Sequence, residues 1–168
     1  SNFEDASLYE TFYQKNYYRM KEEYSHFPEQ IPDHATNAKF SYSHWLGEGS
    51  LRLEYQTTPE EIQALYEQYR SNSLCVMEDW GPSYNYYGDQ EACGMEFYID
   101  KSLIPYRFKT YIVISNHIDP DNHGSSDHCL VTGIAFDEDW TIVYYWSRSL
   151  WCPDLQSYEF PEKPTESG

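Results

Sequence analysis

Apolar side chains recur along residues 3–27 at Tyr9, Tyr13, Tyr17, Met20, Tyr24 and Phe27, in steps of four, four, three, four and three. That spacing traces one stripe of an α-helix. Phe12 and Tyr18 widen the stripe, and Glu10, Gln14, Lys15, Lys21 and Glu22 supply a wet face. Pro28 and Pro32 close it, because proline cannot donate to a helix and disfavours helical geometry at the residue before it. The pattern predicts a long N-terminal helix, then an extended connector over residues 28–37.

The period then changes to two. Leu51, Leu53 and Tyr55 alternate with Arg52, Glu54 and Gln56, as in a strand with one buried face. With residues 38–42 they predict a strand pair, and residues 43–50, which carry Gly47 and Gly49, read as too long for a tight hairpin. Thr58-Pro59-Glu60-Glu61 places Thr at N-cap, Pro at N1 and Glu at N3, a capping box. Ile62, Leu65, Tyr66 and Tyr69 follow on one face, so a helix is expected over residues 59–70.

Residues 74–95 are rich in turn formers, with short strands expected at 74–78 and 96–99. β-branched and aromatic runs predict three further strands at 108–116, 129–136 and 141–147. The last two are joined by a turn at 137–140 that sets Phe136 opposite Thr141. Tyr111-Ile112-Val113-Ile114, apolar on both faces, suits a central strand. Pro153, Pro161 and Pro164 predict an irregular tail from about residue 153. Helix, strands, helix, then a run of strands predicts an α+β fold in one domain over residues 1–168: a mainly antiparallel sheet with both helices packed on one face.

Composition narrows the function classes. Eleven Lys and Arg stand against 28 Asp and Glu, a formal charge of −17. A nucleic-acid face needs clustered cations, and anionic lipid repels such a chain, so neither is an expected partner. Aromatics make up 18% of residues, which argues against disorder. No apolar run approaches the ~20 residues of a membrane span, so no transmembrane segment is expected. Between Arg70 and Lys101, and again between Lys109 and Arg148, there are acids and no base. Such stretches keep a protein in solution, or offer an acidic face to a basic partner.

The cysteines are Cys75, Cys93, Cys129 and Cys152, an even number with three connectivities and no C-x-x-C pair. Two disulfides in an exported protein are preferred here over four buried thiols. With Phe136 opposite Thr141, Cys129 falls opposite Arg148 and Cys152 lies just beyond the same end. Cys75 and Cys93 flank the turn-rich stretch. The expected pairing is therefore Cys75–Cys93 and Cys129–Cys152. The sequence begins Ser1-Asn2 without a basic or apolar leader, so a signal or lipid anchor is expected to have been trimmed from an extracellular or cell-surface protein.

Residues 27–69 carry an FP-x-x-IP pair (Phe27, Pro28, Ile31, Pro32), an aromatic strand, and a second strand leading into a capped helix. In this the stretch resembles uncharacterised exported proteins of Gram-positive bacteria. The resemblance implies export, with or without a lipid anchor, and brings no activity.

Three constellations carry chemistry. His117, Asp119, Asp121, His123, Asp127 and His128 crowd residues 117–128. Asp119-x-Asp121-x-His123-Gly124 opens like a calcium loop, but the twelfth position is Leu130 where a bidentate Glu belongs. The histidines with Asp119 also suit zinc. A polar loop between two strands is the favoured reading, and no cofactor is expected. Second, Trp80, Tyr84, Tyr86 and Tyr87, with Trp45 and His44 in another loop, offer rings of the kind that stack on glycans, peptides or protein surfaces. The competing reading is that these rings cap the core. Third, His128 and Cys129 are neighbours on one strand and point apart, so they cannot form a thiol-protease dyad. G-x-S-x-G, H-E-x-x-H and a phosphate-binding glycine loop are all missing from the sequence. The reading that results is an exported, non-catalytic binding or interaction domain for a protein, peptide or glycan. The alternative is a cell-envelope hydrolase, metal-dependent or thiol-based.

Overall fold

The computed structural model describes residues 4–16, 24–45, 48–78, 85–88, 107–118 and 128–151. In chain order these form β1 (Glu4–Asp5), a 3-10 turn (Ala6–Leu8), α1 (Tyr9–Lys15), β2 (Thr36–Trp45) and β3 (Glu48–Gln56). Then come α2 (Pro59–Arg70), β4 (Cys75–Glu78), β5 (Asn85–Gly88), β6 (Phe108–Ile118), β7 (His128–Asp137) and β8 (Ile142–Trp151). The strands make one sheet in the order β1-β2-β3-β8-β7-β6-β4-β5, antiparallel at every pairing. An antiparallel sheet with two helices is the α+β arrangement the sequence predicts.

Alternation decides which side chains go where. Phe40, Leu51, Leu53, Tyr55, Ile134, Phe136, Val143 and Tyr145 point to one face, where they pack with Tyr9 of α1 and Ile62 and Tyr66 of α2. Both helices therefore sit on that face. The central strands are apolar on their other side as well. Met77, Phe108, Tyr111, Val113, Ala135, Tyr144 and Trp146 form a second buried cluster, as expected for β6 between β4 and β7. Much of the tyrosine content is core, and several of the hydroxyls find hydrogen-bond partners there. Tyr9 donates to the Pro28 carbonyl at 2.7 Å, Tyr66 to Glu78 at 2.6 Å, and Tyr55 meets Tyr145 at 3.1 Å.

The long N-terminal helix is not there. Helical geometry covers three residues of 3-10 turn and seven of α-helix, and Asn16 closes it. The Asn16 backbone amide donates to the Phe12 and Tyr13 carbonyls at 3.1 and 3.2 Å, and its side chain adds a second donor to the Phe12 carbonyl at 2.9 Å, closing the last turn. A helix running on would carry residue 28 about 28 Å from Tyr9, yet the two are hydrogen-bonded. Residues 17–23, with Tyr17 and Met20 of the expected stripe, lie outside the described residues. Tyr24 and Phe27 do enter the core, but from a turn in which the Phe27 amide donates to the Tyr24 carbonyl at 2.9 Å.

Two strand connections also differ from expectation. The β2–β3 ladder runs through Ser43↔Ser50 to Trp45↔Glu48, so two residues join the strands rather than eight. The Ser43 and Ser50 hydroxyls meet across the ladder at 2.8 Å, which ties polar residues into a strand. Between β7 and β8, Phe136 faces Val143 rather than Thr141. The Asp137 carboxylate accepts from the amides of Thr141 (2.7 Å) and Ile142 (2.8 Å) and from the Thr141 hydroxyl (2.9 Å). Trp140 adopts φ 57° within that turn and stacks on Phe136. Cys129 thus lies opposite Leu150, not Arg148. The short strand expected at 96–99 and the tail from 153 lie outside the described residues.

Candidate functional site

The site begins with an irregularity in β2. Thr36 pairs with Gln56 and Lys39 with Glu54, so β2 carries one residue more than β3 over this interval, a β-bulge. Asn37 takes the left-handed turn at φ 53°, which asparagine tolerates better than most residues, and its amide donates to Gln56 Oε1 at 2.8 Å. A bulge bends its strand and re-aims neighbouring side chains. Beside this one opens a cleft of 450 Å³, walled by Asn37, Ala38, Lys39, Glu54, Tyr55, Gln56, Arg107 and Ile142.

Glu54 is the centre of it. Its side chain is 4% exposed, and an ionised carboxylate buried that far costs several kcal/mol unless it is paired. Arg107 supplies the pairing, with Nη2 donating to Oε1 at 2.5 Å, and Lys39 Nζ approaches the same oxygen at 3.7 Å. Among the described residues nothing donates to the other oxygen, Oε2. The Arg107 guanidinium lies 4.6 Å over the Phe108 ring, and its remaining N–H groups take no partner among the described residues. Between β3 and β6 stand β8 and β7, a separation of about 14 Å in a flat sheet. That Arg107 nonetheless reaches Glu54 shows the sheet curling toward this face. In a chain of charge −17, the described wall of this cleft carries two cations and one carboxylate.

The other residues singled out from sequence fall elsewhere. Trp45 ends β2, and Tyr86 and Tyr87 lie in β5 opposite Met77 and Val76, six strand positions away. The ladder therefore keeps these two strands apart within the sheet; Trp80 and Tyr84 lie outside the described residues. His117 is opposite Leu130 and His128 opposite Trp151, on adjoining strands, while Asp119, Asp121, His123 and Asp127 lie outside the described residues. Among the described residues no group of three metal-ligating side chains converges, and no helix is long and apolar enough to cross a membrane. Cys75 is disulfide-bonded; Cys93 and Cys152 lie outside the described residues.

Sequence reasoning passed over Glu54 and Arg107. By alternation Glu54 belongs to the wet side of β3, and its partner is 53 residues away in a stretch without periodic signal. His26 was equally hidden, as the polar member of an aromatic turn. It is 4% exposed and its Nε2 donates to the Trp146 carbonyl at 2.8 Å. Burial lowers its pKa to about 4, with the backbone contacts to Trp146 and Gly133 acting in the opposite direction.

The chain matches no protein-family model, no curated protein and no solved structure.

Proposed function

We propose that this is an exported, non-catalytic binding domain whose ligand sits in the cleft between the β2 bulge, Glu54 and Arg107. One observation carries the reading: a nearly buried carboxylate with one oxygen served and the other open, on the wall of a cleft of ligand size. Buried polar groups are normally satisfied, and those left open are where a ligand finds its hydrogen bonds. The disulfide at Cys75 supports export, since such bonds persist in oxidising compartments.

The test is a screen of a small-molecule library against the 15N-labelled chain by chemical-shift mapping. Hits should move amides at 37–39, 54–56, 107 and 142 together. Hits that gather on another surface, or none at all, contradict the proposal.

A further inference from the structure

We propose that the cleft binds a free α-amino acid, its ammonium on Glu54 Oε2 and its carboxylate on the open N–H groups of Arg107. This rests on the reading of the cleft as a ligand site and names the chemistry of the ligand.

Both cations of the cleft address Glu54 Oε1, so Oε2, on a residue that lines the cleft, is an acceptor with no donor among the described residues. An ionised carboxylate only accepts, and the donor it binds most strongly is a cationic one. Arg107 presents the complementary need. Its guanidinium has five N–H donors in a rigid fork, and among the described residues one nitrogen serves Glu54 and the rest serve nothing.

The two open groups are joined through the single Nη2···Oε1 hydrogen bond of 2.5 Å, so they lie side by side. A ligand that satisfies both must carry its positive and negative charges close together, as an ammonium and a carboxylate on one carbon do. An anion alone would meet the charge of Glu54, and a cation alone would meet Lys39 and Arg107. Only the zwitterion answers both. Ala38 and Ile142 supply apolar wall, and 450 Å³ leaves room there for a side chain.

The experiment titrates the 15N-labelled full chain with three matched compounds: L-2-aminobutyrate, propylamine, which lacks the carboxylate, and butyrate, which lacks the ammonium. L-2-aminobutyrate should give saturable shifts at Asn37, Gln56 and Arg107. The other two should bind at least about tenfold more weakly, the scale of one lost charged hydrogen bond. Glu54→Gln and Arg107→Lys should each weaken L-2-aminobutyrate by a similar factor. Should Glu54→Gln fail to fold, Arg107→Lys at a half-exposed position and the three-compound series still decide. Equal binding of butyrate or propylamine at these residues overturns the zwitterion assignment and leaves the cleft as a ligand site. No response there to any of the three, with library hits still mapping to the cleft, overturns the amino-acid assignment alone. No response to either overturns both readings.

Discussion

Gly133 and Trp146 face each other across β7 and β8, and the indole lies where a side chain at 133 would have to be. A Cβ built on Gly133 would stand 2.3 Å from Trp146 Cζ2 and Cη2 and 2.3 Å from the Ile112 carbonyl oxygen. His26 donates to the Trp146 carbonyl, so β6, β7, β8 and the turn that carries His26 all meet at this one pair. Gly133→Ala should destabilise the fold by about 3 kcal/mol or more, the upper range for forcing atoms into a packed core. Urea denaturation of the variant measures it, and a loss below about 1 kcal/mol would mean the indole is not seated as described.

His26 makes stability depend on acidity. The unfolded imidazole takes a proton near its ordinary pKa of 6.5, whereas the buried one resists until about 4. Between those values the unfolded chain holds more protons, so stability is full above pH 6.5 and falls as pH drops toward 4. The loss should be on the order of 3 kcal/mol across the window. Denaturant midpoints from pH 7.5 down to 4.5 read it. In His26→Phe the fall across this window should be largely abolished.

The N-cap of α2 was legible in the sequence, and the reciprocal half of its capping box was not. Thr58 Oγ1 accepts from the Glu61 amide at 3.3 Å, and Pro59 sits at N1. The Glu61 carboxylate does not complete the box by reaching back to Thr58. It accepts from the Thr57 hydroxyl and pairs with His34 Nε2 at 2.7 Å, contacts that hold its pKa below the usual carboxylate value. Thr58→Ala should cost about 0.5–2 kcal/mol in thermal unfolding.

What could be read from the sequence was whatever rests on local pattern. Period two in Leu51-Arg52-Leu53-Glu54-Tyr55 announced β3, and the apolar quartet at 111–114 announced a central strand. The stripe from Tyr9 to Phe27 misled because its spacing suits both a helix and a fold-back. Asn16, which ends α1, looks like any polar residue on the wet face. The cleft was illegible for a deeper reason. It depends on an extra residue in β2 and on a pairing between Glu54 and Arg107, which is a property of the sheet order and not of either neighbourhood.

The strand register constrains the disulfide pairing. Cys75 lies opposite Gly88 on one side and Val113 on the other, and Cys129 lies opposite Ile118, two strands from Cys75 and displaced along them. Their Cα atoms are therefore beyond the ~7 Å limit for a bridge. Cys93 is five residues past Gly88, and Cys152 is two past Leu150, which faces Cys129. Non-reducing peptide mapping should yield Cys75–Cys93 and Cys129–Cys152. A Cys75–Cys129 peptide would contradict the register itself.

Metal is expected to be dispensable. The 117–128 stretch lacks an acid at the closing position of a calcium loop, where Leu130 stands. Elemental analysis of chain purified without chelator should show neither calcium nor zinc near one equivalent.

The account turns on the open oxygen of Glu54. Its most direct test is a crystal structure of the full chain soaked with L-2-aminobutyrate. The ammonium should be found within hydrogen-bond distance of Glu54 Oε2, and the carboxylate on Arg107, with Lys39 and Arg107 still on Oε1. A cleft holding only water against Oε2 at saturating compound would contradict it.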